Sequence, residues 1–148
     1  MTKQLLGFFD SGLGGLTVLR RVLERHGPVP CVYLGDTARL PYGTKSATTV
    51  CRYAERATGL LLNYPVKAVV VACNTASAQA LPALRAMTEL PVMGVVNPGA
   101  QSAVATTRSG RVAIAGTEAT IRSGAYHQAL RALEPDLELF SQPWPLLV

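Results

Sequence analysis

The chain has 148 residues, of which 49% are apolar and 16% charged, a composition typical of a globular protein with a real core and not of a disordered chain. Its 14 basic and 9 acidic side chains give a net charge of +5, but the arginines are scattered and only 6% of residues are aromatic, so we expect no nucleic-acid surface. We also expect no signal peptide and no membrane span, because no apolar run approaches the ~20 residues that cross a bilayer.

Apolar runs and helical repeats alternate regularly along the chain. Glycine-rich residues 10–15 follow the first apolar run, and a polar loop at 35–43 follows the second. In this first half the pattern predicts strands at residues 4–9, 31–34 and 68–72, with helices over 16–26 and 47–61 between them.

The second half continues this alternation. Pro82 within the third helical pattern predicts either a kink or a restart of the helix. The predicted elements are a helix after Cys73, a strand over 92–96, a helix from Asn97, a strand over 111–115, a helix from the turn at 116–120 to Leu133, and a strand over 137–140.

Strands that are continuous apolar runs separated by helices are typical of a parallel sheet covered on both faces. We therefore predict an α/β fold, a doubly wound, flavodoxin-like parallel sheet flanked by helices. A break between Pro91 and Pro98 indicates a first domain over residues 1–96 and the start of a second, similar domain over 97–148.

Three cysteines are present, an odd number without a CxxC spacing, which favours neither a disulfide framework nor a structural zinc site. A reducing cytoplasm is therefore the expected location. The histidines, His26 and His127, fall on predicted helices, and we expect ordinary surface or helix-end residues and not metal ligands.

Polar residues follow five of the predicted strands. Because the carboxyl ends of parallel strands face one crevice, we expect these side chains to converge there, where helix N-termini also present free N–H groups. The positive net charge favours a small anionic ligand. The residues concerned are Asp10 with Ser11, residues 36–43, Cys73 with Asn74 and Thr75, Asn97, and Thr117 with Thr120.

Cys73 stands out because a β-branched apolar run delivers it to the start of a small-residue helix. It is either a nucleophile or proton-transfer base in the crevice, or a buried cysteine packed beneath the helix. A thiol beside a carboxylate, hydroxyls and an amide suits proton transfer next to a carbonyl, whereas the lack of a neighbouring histidine weakens a hydrolase interpretation. Asp10 favours chemistry, because a carboxylate that ends an apolar strand is costly unless it is paired or in use.

The glycines at residues 12–15 also suggest nucleotide binding, since they lie between a strand and a helix. Their spacing departs from GxGxxG at the last position, and the Gly-Lys-Ser/Thr ending of a P-loop does not occur. We therefore expect no dinucleotide or phosphate site in this loop.

Five segments resemble the glutamate racemases. Each is weak evidence alone, but together they run in order over most of the chain. The segments are residues 7–18, which include Asp10-Ser11-Gly12, residues 34–43, which end in Pro41-Tyr42-Gly43, Ala72-Cys73-Asn74-Thr75-Ala76-Ser77, Asn97-Pro98-Gly99-Ala100, and Gly116-Thr117-Glu118-Ala119-Thr120.

The resemblance implies an isomerase that interconverts L- and D-glutamate without a cofactor. In that family a thiolate on one face of the α-carbon removes the proton and a thiol on the other face returns one, because inversion needs a base and an acid on opposite sides. By position, Cys73 would be the base for the D-enantiomer, and Asp10 would contact the substrate amine and tune the thiol. The other substrate-binding residues would be Ser11, Pro41, Tyr42, Gly43, Asn74, Thr75, Thr117 and Thr120.

The resemblance also implies a cytoplasmic enzyme that supplies D-glutamate for peptidoglycan, and so for cell-wall biogenesis and cell shape. Its partner would be glutamate, with no nucleic acid, membrane or metal involved. Association into a homo-oligomer is left open.

One expected feature of that family does not occur here. Its second cysteine lies in a Gly-Cys-Thr-His segment that this sequence lacks, and neither Cys31, in a predicted strand, nor Cys51, on the apolar face of a helix, replaces it. The family's chains are longer, and we interpret residues 143–148 as the end of a truncated product. Three functions stay open: a racemase that uses Cys73 as one of two bases, a non-catalytic module that binds glutamate or another anion, and a racemase for aspartate or a related amino acid.

Overall fold

The computed structural model describes residues 4–144, which form two parallel sheets. The strands of the first sheet are β1 Leu5–Asp10, β2 Cys31–Gly35, β3 Val66–Val71 and β4 Val92–Gly94. They lie in the order β2-β1-β3-β4, and each neighbouring pair is parallel. Two further strands, β5 Arg111–Gly116 and β6 Glu138–Pro143, form the second parallel pair.

Helices connect the strands and flank both sheets, which confirms the predicted α/β class. A short 3₁₀ turn, Tyr42–Thr44, lies between β2 and the helix that follows it. The helices are α1 Leu16–His26, α2 Ala47–Leu61, α3 Asn74–Ala86, α4 Val96–Thr106, α5 Glu118–Arg122 and α6 Ala125–Leu133.

The first sheet holds the larger core. Phe9 of β1 and Val69 and Val71 of β3 are fully buried, as the continuous apolar runs predict. Helix α2 covers one face of the sheet through residues spaced at three and four, because such residues share one side of a helix. Those residues are Val50, Ala54, Ala57 and Leu61, and α3 adds Ala76, Ala80 and Leu84 to the same cluster.

The second pair of strands is covered more thinly. Ala100, Ile114, Leu130 and Leu137 form a separate buried cluster beneath α4 and α6. On the opposite face Phe140 is 44% exposed, and the guanidinium of Arg111 lies 5.2 Å from the centre of its ring. This face of a parallel pair is therefore open to solvent.

Helix α3 continues through Pro82 as one element of 13 residues, so the restart, one of the two predicted alternatives, does not occur. Proline inside a helix removes one hydrogen bond at a cost of ~3 kcal/mol. The fully buried residues on either side of it, Ala80 and Leu84, offset that cost by packing into the core.

The single helix predicted between residues 120 and 133 is also wrong, since α5 and α6 are separate. Gly124 adopts φ +68, a left-handed conformation that ends α5. The Ser123 hydroxyl donates to the Thr120 carbonyl at 2.6 Å and accepts the Ala125 N–H at 3.2 Å, which stabilises the break.

The first sheet ends at β4, and α4 begins at Val96, so strand β4 is shorter than predicted. The Val95 N–H donates to the Ser77 hydroxyl at 3.2 Å, which turns the chain out of the sheet. The domain boundary after residue 96 stays a prediction.

No helix within residues 4–144 is long and apolar enough to cross a bilayer. Of residues 143–148, which we interpreted from the sequence as the end of a truncated product, residues 145–148 lie outside the described residues.

Candidate active site

A cavity of ≈ 830 Å³ lies where the carboxyl ends of β1, β3 and β5 approach one another. Strand β5 belongs to the second sheet, so the crevice forms between the two sheets and the polar strand ends converge there from both. The ten residues that the resemblance assigns to catalysis or substrate binding all line it: Asp10, Ser11, Pro41, Tyr42, Gly43, Cys73, Asn74, Thr75, Thr117 and Thr120.

Two other predicted contributors do not reach the cavity. Asn97 is an exposed residue of α4, because that helix begins one residue earlier and turns the side chain outward. Asp36 lies behind the wall, where its Oδ2 accepts the Tyr42 hydroxyl at 2.6 Å and pairs with Arg39 at 3.0 Å. Asp36 therefore supports the lining and does not form part of it.

Cys73 is the N-cap of α3, and only 5% of it is exposed. Its Sγ accepts the Ala76 N–H at 3.5 Å, which is the usual cap interaction made by sulfur in place of oxygen. The thiol also donates to the Ser11 hydroxyl at 3.3 Å. Cys73 is thus both packed under the helix, as one interpretation predicted, and in contact with the crevice, as the other required.

Burial raises the pKa of the Cys73 thiol, and the Asp10 carboxylate nearby raises it further. The hydrogen bonds with Ser11 and Ala76 oppose this effect by stabilising the thiolate. Burial is the largest of these causes, so the protonated thiol is favoured.

The Asp10 carboxylate organises the glycine-rich loop. Its Oδ2 accepts the N–H groups of Gly12 and Gly15, both at 3.0 Å, and the Tyr33 hydroxyl at 3.4 Å. A Cβ at Gly15 would lie 2.7 Å from the Asp10 Cβ and 2.8 Å from that of Ala72, so only glycine fits. The loop therefore wraps a carboxylate of its own chain, and the cost of burying Asp10 is offset by these donors.

The elements fall into a first region, β1 to β4 with α1 to α3, and a second region, β5 and β6 with α4 to α6. Tyr42 and Gly43 form the wall that faces the second region. The Tyr42 ring is 2% exposed and packs 6.1 Å from Phe9, while its hydroxyl is committed to Asp36. Burial, with the bond to Asp36, raises the pKa of Tyr42. A Cβ at Gly43 would lie 2.4 Å from the Thr117 Cβ, so this glycine permits the two regions to touch.

Three threonine hydroxyls form a closed triangle across that contact. The Thr75 Oγ1 lies 3.0 Å from that of Thr117 and 3.1 Å from that of Thr120, which are 2.9 Å apart. Thr117 is also the N-cap of α5, where it accepts the Thr120 N–H at 3.2 Å. All three residues are buried, so the triangle ties α3 to α5 at the edge of the crevice.

The rest of the lining is neutral. It contains no arginine, lysine or histidine within the described part of the chain, and Asp10 is its one carboxylate. Cys31, Cys51, His26 and His127 lie elsewhere; the Cys51 thiol donates to the Gln79 carbonyl at 3.4 Å. Cys73 is therefore the sole thiol in the described crevice, and an anion would be held by N–H groups, hydroxyls and amides.

Sequence reasoning missed part of the lining. Residues 112–116 of β5 and Leu40 supply apolar surface, and the Tyr126 hydroxyl on α6 donates to Oδ1 of Asn74 at 2.7 Å. Nothing in the sequence distinguishes Tyr126 from the other tyrosines, since its role depends on where α6 packs. The apolar surface of β5 could have been inferred from its strand pattern.

Comparison with known proteins gives consistent results. The family described as Asp/Glu/Hydantoin racemase matches residues 14–140. A glutamate racemase of Geobacter metallireducens is 49% identical over 148 residues, which is 100% of this chain and 55% of that protein. The structure of glutamate racemase isoform RacE1 from Bacillus anthracis superposes with a TM-score of 0.95 at 38% identity, covering 99% of this chain and 55% of that one.

A second solved structure, glutamate racemase from Francisella tularensis in complex with D-glutamate, has a TM-score of 0.88 and 34% identity. It is matched over 97% of this chain and 54% of its own length. The chain thus spans about half the length of the curated relatives it matches.

Proposed function

This chain belongs to the Asp/Glu/Hydantoin racemase family, and from that premise we propose that its crevice binds glutamate and exchanges the α-proton through the Cys73 thiol. The observation that carries the proposal is the position of Cys73, at the carboxyl end of β3, at the N-terminus of α3 and in contact with Ser11. The relative from Francisella tularensis, solved with D-glutamate, supports the choice of ligand.

In the proposed step, the Cys73 thiolate takes the α-proton of glutamate. The C–H bond breaks and an S–H bond forms, and the electron pair stays on the α-carbon, delocalised into the adjacent carboxylate. Return of a proton from the sulfur restores the same enantiomer, while delivery from the opposite face inverts it. The step needs no cofactor, because the carboxylate itself accepts the charge.

The thiol must lose its own proton before it can act. Burial raises the pKa of Cys73, so the fraction of thiolate, and with it the rate of exchange, is expected to increase as the pH rises. Ser11 helps this step, since its hydroxyl can reverse its hydrogen bond and donate to the thiolate.

The substrate would be held by neutral donors. The first turn of α3 offers backbone N–H groups, which suit a carboxylate, and Asn74, Thr75, Thr117 and Thr120 add polar side chains around them. Asp10 would contact the substrate ammonium through the carboxylate oxygen that the loop leaves free, while Pro41, Tyr42 and Gly43 complete the wall.

A physiological role follows from this chemistry. We propose that the protein takes part in the cytoplasmic supply of D-glutamate for peptidoglycan, and so in cell-wall biogenesis, as its resemblance to the glutamate racemases implies, with inversion requiring a second proton-transfer group on the opposite face of the α-carbon. Because Cys73 is the sole thiol of the described crevice, this chain by itself would act on one face of the α-carbon.

The test is deuterium incorporation at the α-carbon of each glutamate enantiomer in D₂O, followed by proton NMR. Wild-type protein should exchange the α-proton, and Cys73→Ala should slow that exchange by about 10² or more. Cys51→Ala is the matched control, because its thiol lies outside the cavity and bonds to the Gln79 carbonyl. Equal exchange in wild type and Cys73→Ala would remove Cys73 from the mechanism.

A second function is favoured by the raised pKa of Cys73, namely binding of glutamate without proton transfer. It predicts glutamate affinity in calorimetry with no deuterium incorporation in either enantiomer. A competition titration of glutamate against aspartate in the calorimeter would identify the preferred amino acid, since the family includes racemases of both.

A further inference from the structure

Tyr126 joins the two regions at a second point beside the threonine triangle. It lies in the first turn of α6, packed against the second hydrophobic cluster, and its hydroxyl donates to Oδ1 of Asn74 at 2.7 Å. Asn74 is the first residue of α3 and follows Cys73 directly. A contact made from the second region therefore fixes a side chain adjacent to the proposed base.

Gly99 explains how the tyrosine ring reaches this place. A Cβ at Gly99 would lie 3.1 Å from both Cε1 and the hydroxyl oxygen of Tyr126, which is closer than side chains normally approach. The glycine of the Asn97-Pro98-Gly99 segment thus leaves the space that the ring occupies. This accounts for a sequence feature that the proposed reaction itself does not use.

The bond also fixes the orientation of the amide. Because Oδ1 of Asn74 accepts the Tyr126 hydroxyl, Nδ2 points away from that hydroxyl. Within residues 4–144, Nδ2 donates to no protein acceptor, although Asn74 lines the cavity. The described lining of the crevice has no basic side chain, so a carboxylate depends on neutral hydrogen-bond donors. The two N–H groups of the Asn74 amide are a large share of those donors.

We propose that Tyr126 is a positioning residue that orients the Asn74 amide so that its N–H groups serve a carboxylate of the ligand. This inference rests on the proposed binding of glutamate. Burial raises the pKa of Tyr126, so the hydroxyl stays protonated and remains a donor through the neutral range. Tyr126 touches Asn74 and not the reacting atoms, and its effect is on affinity.

The test uses Tyr126→Phe, which keeps the ring beside Gly99 and removes only the hydroxyl. We expect the dissociation constant of D-glutamate, measured by calorimetry, to rise about fivefold, the usual worth of one hydrogen bond. Tyr64→Phe is the matched control, because Tyr64 is 53% exposed and lies outside the cavity. In an Asn74→Ala background Tyr126→Phe should have no further effect, whereas an independent structural role would leave its effect intact.

A second readout separates this inference from the proposed function. The side-chain NH₂ signals of Asn74, identified in ¹⁵N NMR spectra as the pair lost in Asn74→Ala, should shift in Tyr126→Phe and stay in place in Tyr64→Phe. Signals that do not move in Tyr126→Phe would overturn the inference whatever glutamate does. Signals that move, in a wild-type protein that binds no D-glutamate, would support the positioning of Asn74 and contradict the proposed function.

Discussion

The two sheets of this protein begin alike and differ in how they are completed. In each, the first strand pairs in parallel with the next strand along the chain, and a polar residue stands at its carboxyl end, Asp10 in β1 and Thr117 just after β5. Strand β1 has neighbours on both edges, whereas within residues 4–144 β5 pairs with β6 alone. The first hydrophobic cluster has 14 buried residues and the second has four, so most of the packing energy lies in the first region.

The two regions therefore contribute differently to the candidate site. Cys73 and Asp10 are held by the region with the larger core, while the second region supplies the opposing wall through Thr117, Thr120 and Tyr126. We therefore expect changes in the first core to affect global stability. Changes at the contact between the regions should affect the shape of the crevice and the affinity for ligands.

The largest effect should come from the core of the first region. Leu61→Ala removes a fully buried side chain of α2 and should lower the free energy of unfolding by about 3 kcal/mol in urea denaturation. Leu60→Ala is the control one position away, where the side chain is 56% exposed and the change should stay within about 0.5 kcal/mol. Equal losses in the two variants would contradict the described packing of α2.

Gly43→Ala tests the contact between the regions. Its Cβ would lie 2.4 Å from that of Thr117, so overpacking should cost about 1–3 kcal/mol and weaken D-glutamate binding. Gly59→Ala makes the same change in α2 with no atom within 4 Å of the new Cβ, and it should stabilise the protein by about 0.5–1 kcal/mol. If Gly43→Ala proved as well tolerated, the close approach of the two regions would be wrong.

Thr75→Val removes one corner of the hydroxyl triangle and leaves Thr117 and Thr120 bonded to each other. The expected loss is about 1 kcal/mol, because two hydrogen bonds are lost at a nearly isosteric site. Hydrogen exchange should show the change as faster exchange in α5 and β5, with the amides of β1 unaffected. Thr48→Val, at an exposed position of α2, is the control and should leave both sets unchanged.

The smallest effect is the pH dependence of the thiol. The pKa of Cys73 is raised in the folded protein, so the protonated thiol stabilises the folded state. This stabilisation is complete below the pKa of the thiol in the unfolded chain, and it is lost as the pH rises through the pKa of the thiol in the folded protein. With Cys31 and Cys51 replaced by alanine, the pH midpoint of Cys73 alkylation by iodoacetamide should be higher in the folded chain than in urea. Ser11→Ala should raise it further, because the Ser11 hydroxyl lowers the pKa. A midpoint below that of the unfolded chain would contradict the burial of Cys73.

Much of the first region could be predicted from the sequence. The apolar runs that became β1, β2 and β3 are bounded by glycine, proline and polar residues, and helix α2 carries an unbroken repeat of buried positions from Val50 to Leu61. The site residues followed from the rule that carboxyl ends of parallel strands share a crevice. Local pattern and topology agree there, so the prediction needed no tertiary information.

The second region depended on contacts that the sequence does not display. The helix breaks at Gly124 because this glycine adopts a left-handed backbone conformation, which the sequence alone does not reveal. Asn97 faces outward because α4 starts at Val96, one residue earlier than predicted. Tyr126 joins the site because Gly99 leaves room for its ring on a neighbouring helix. Contacts of this kind, between residues far apart in the sequence, cannot be predicted from the periodicity of apolar residues.

The central claim is that this chain presents one proton-transfer group to one face of the α-carbon. The most direct measurement incubates pure D-glutamate with the protein in D₂O, then separates the enantiomers and determines the deuterium content of each. The account predicts α-deuterated D-glutamate with no L-glutamate formed, since Cys73 is the sole thiol of the described crevice. Formation of L-glutamate by the same sample, or deuterium incorporation that persists in Cys73→Ala, would contradict it.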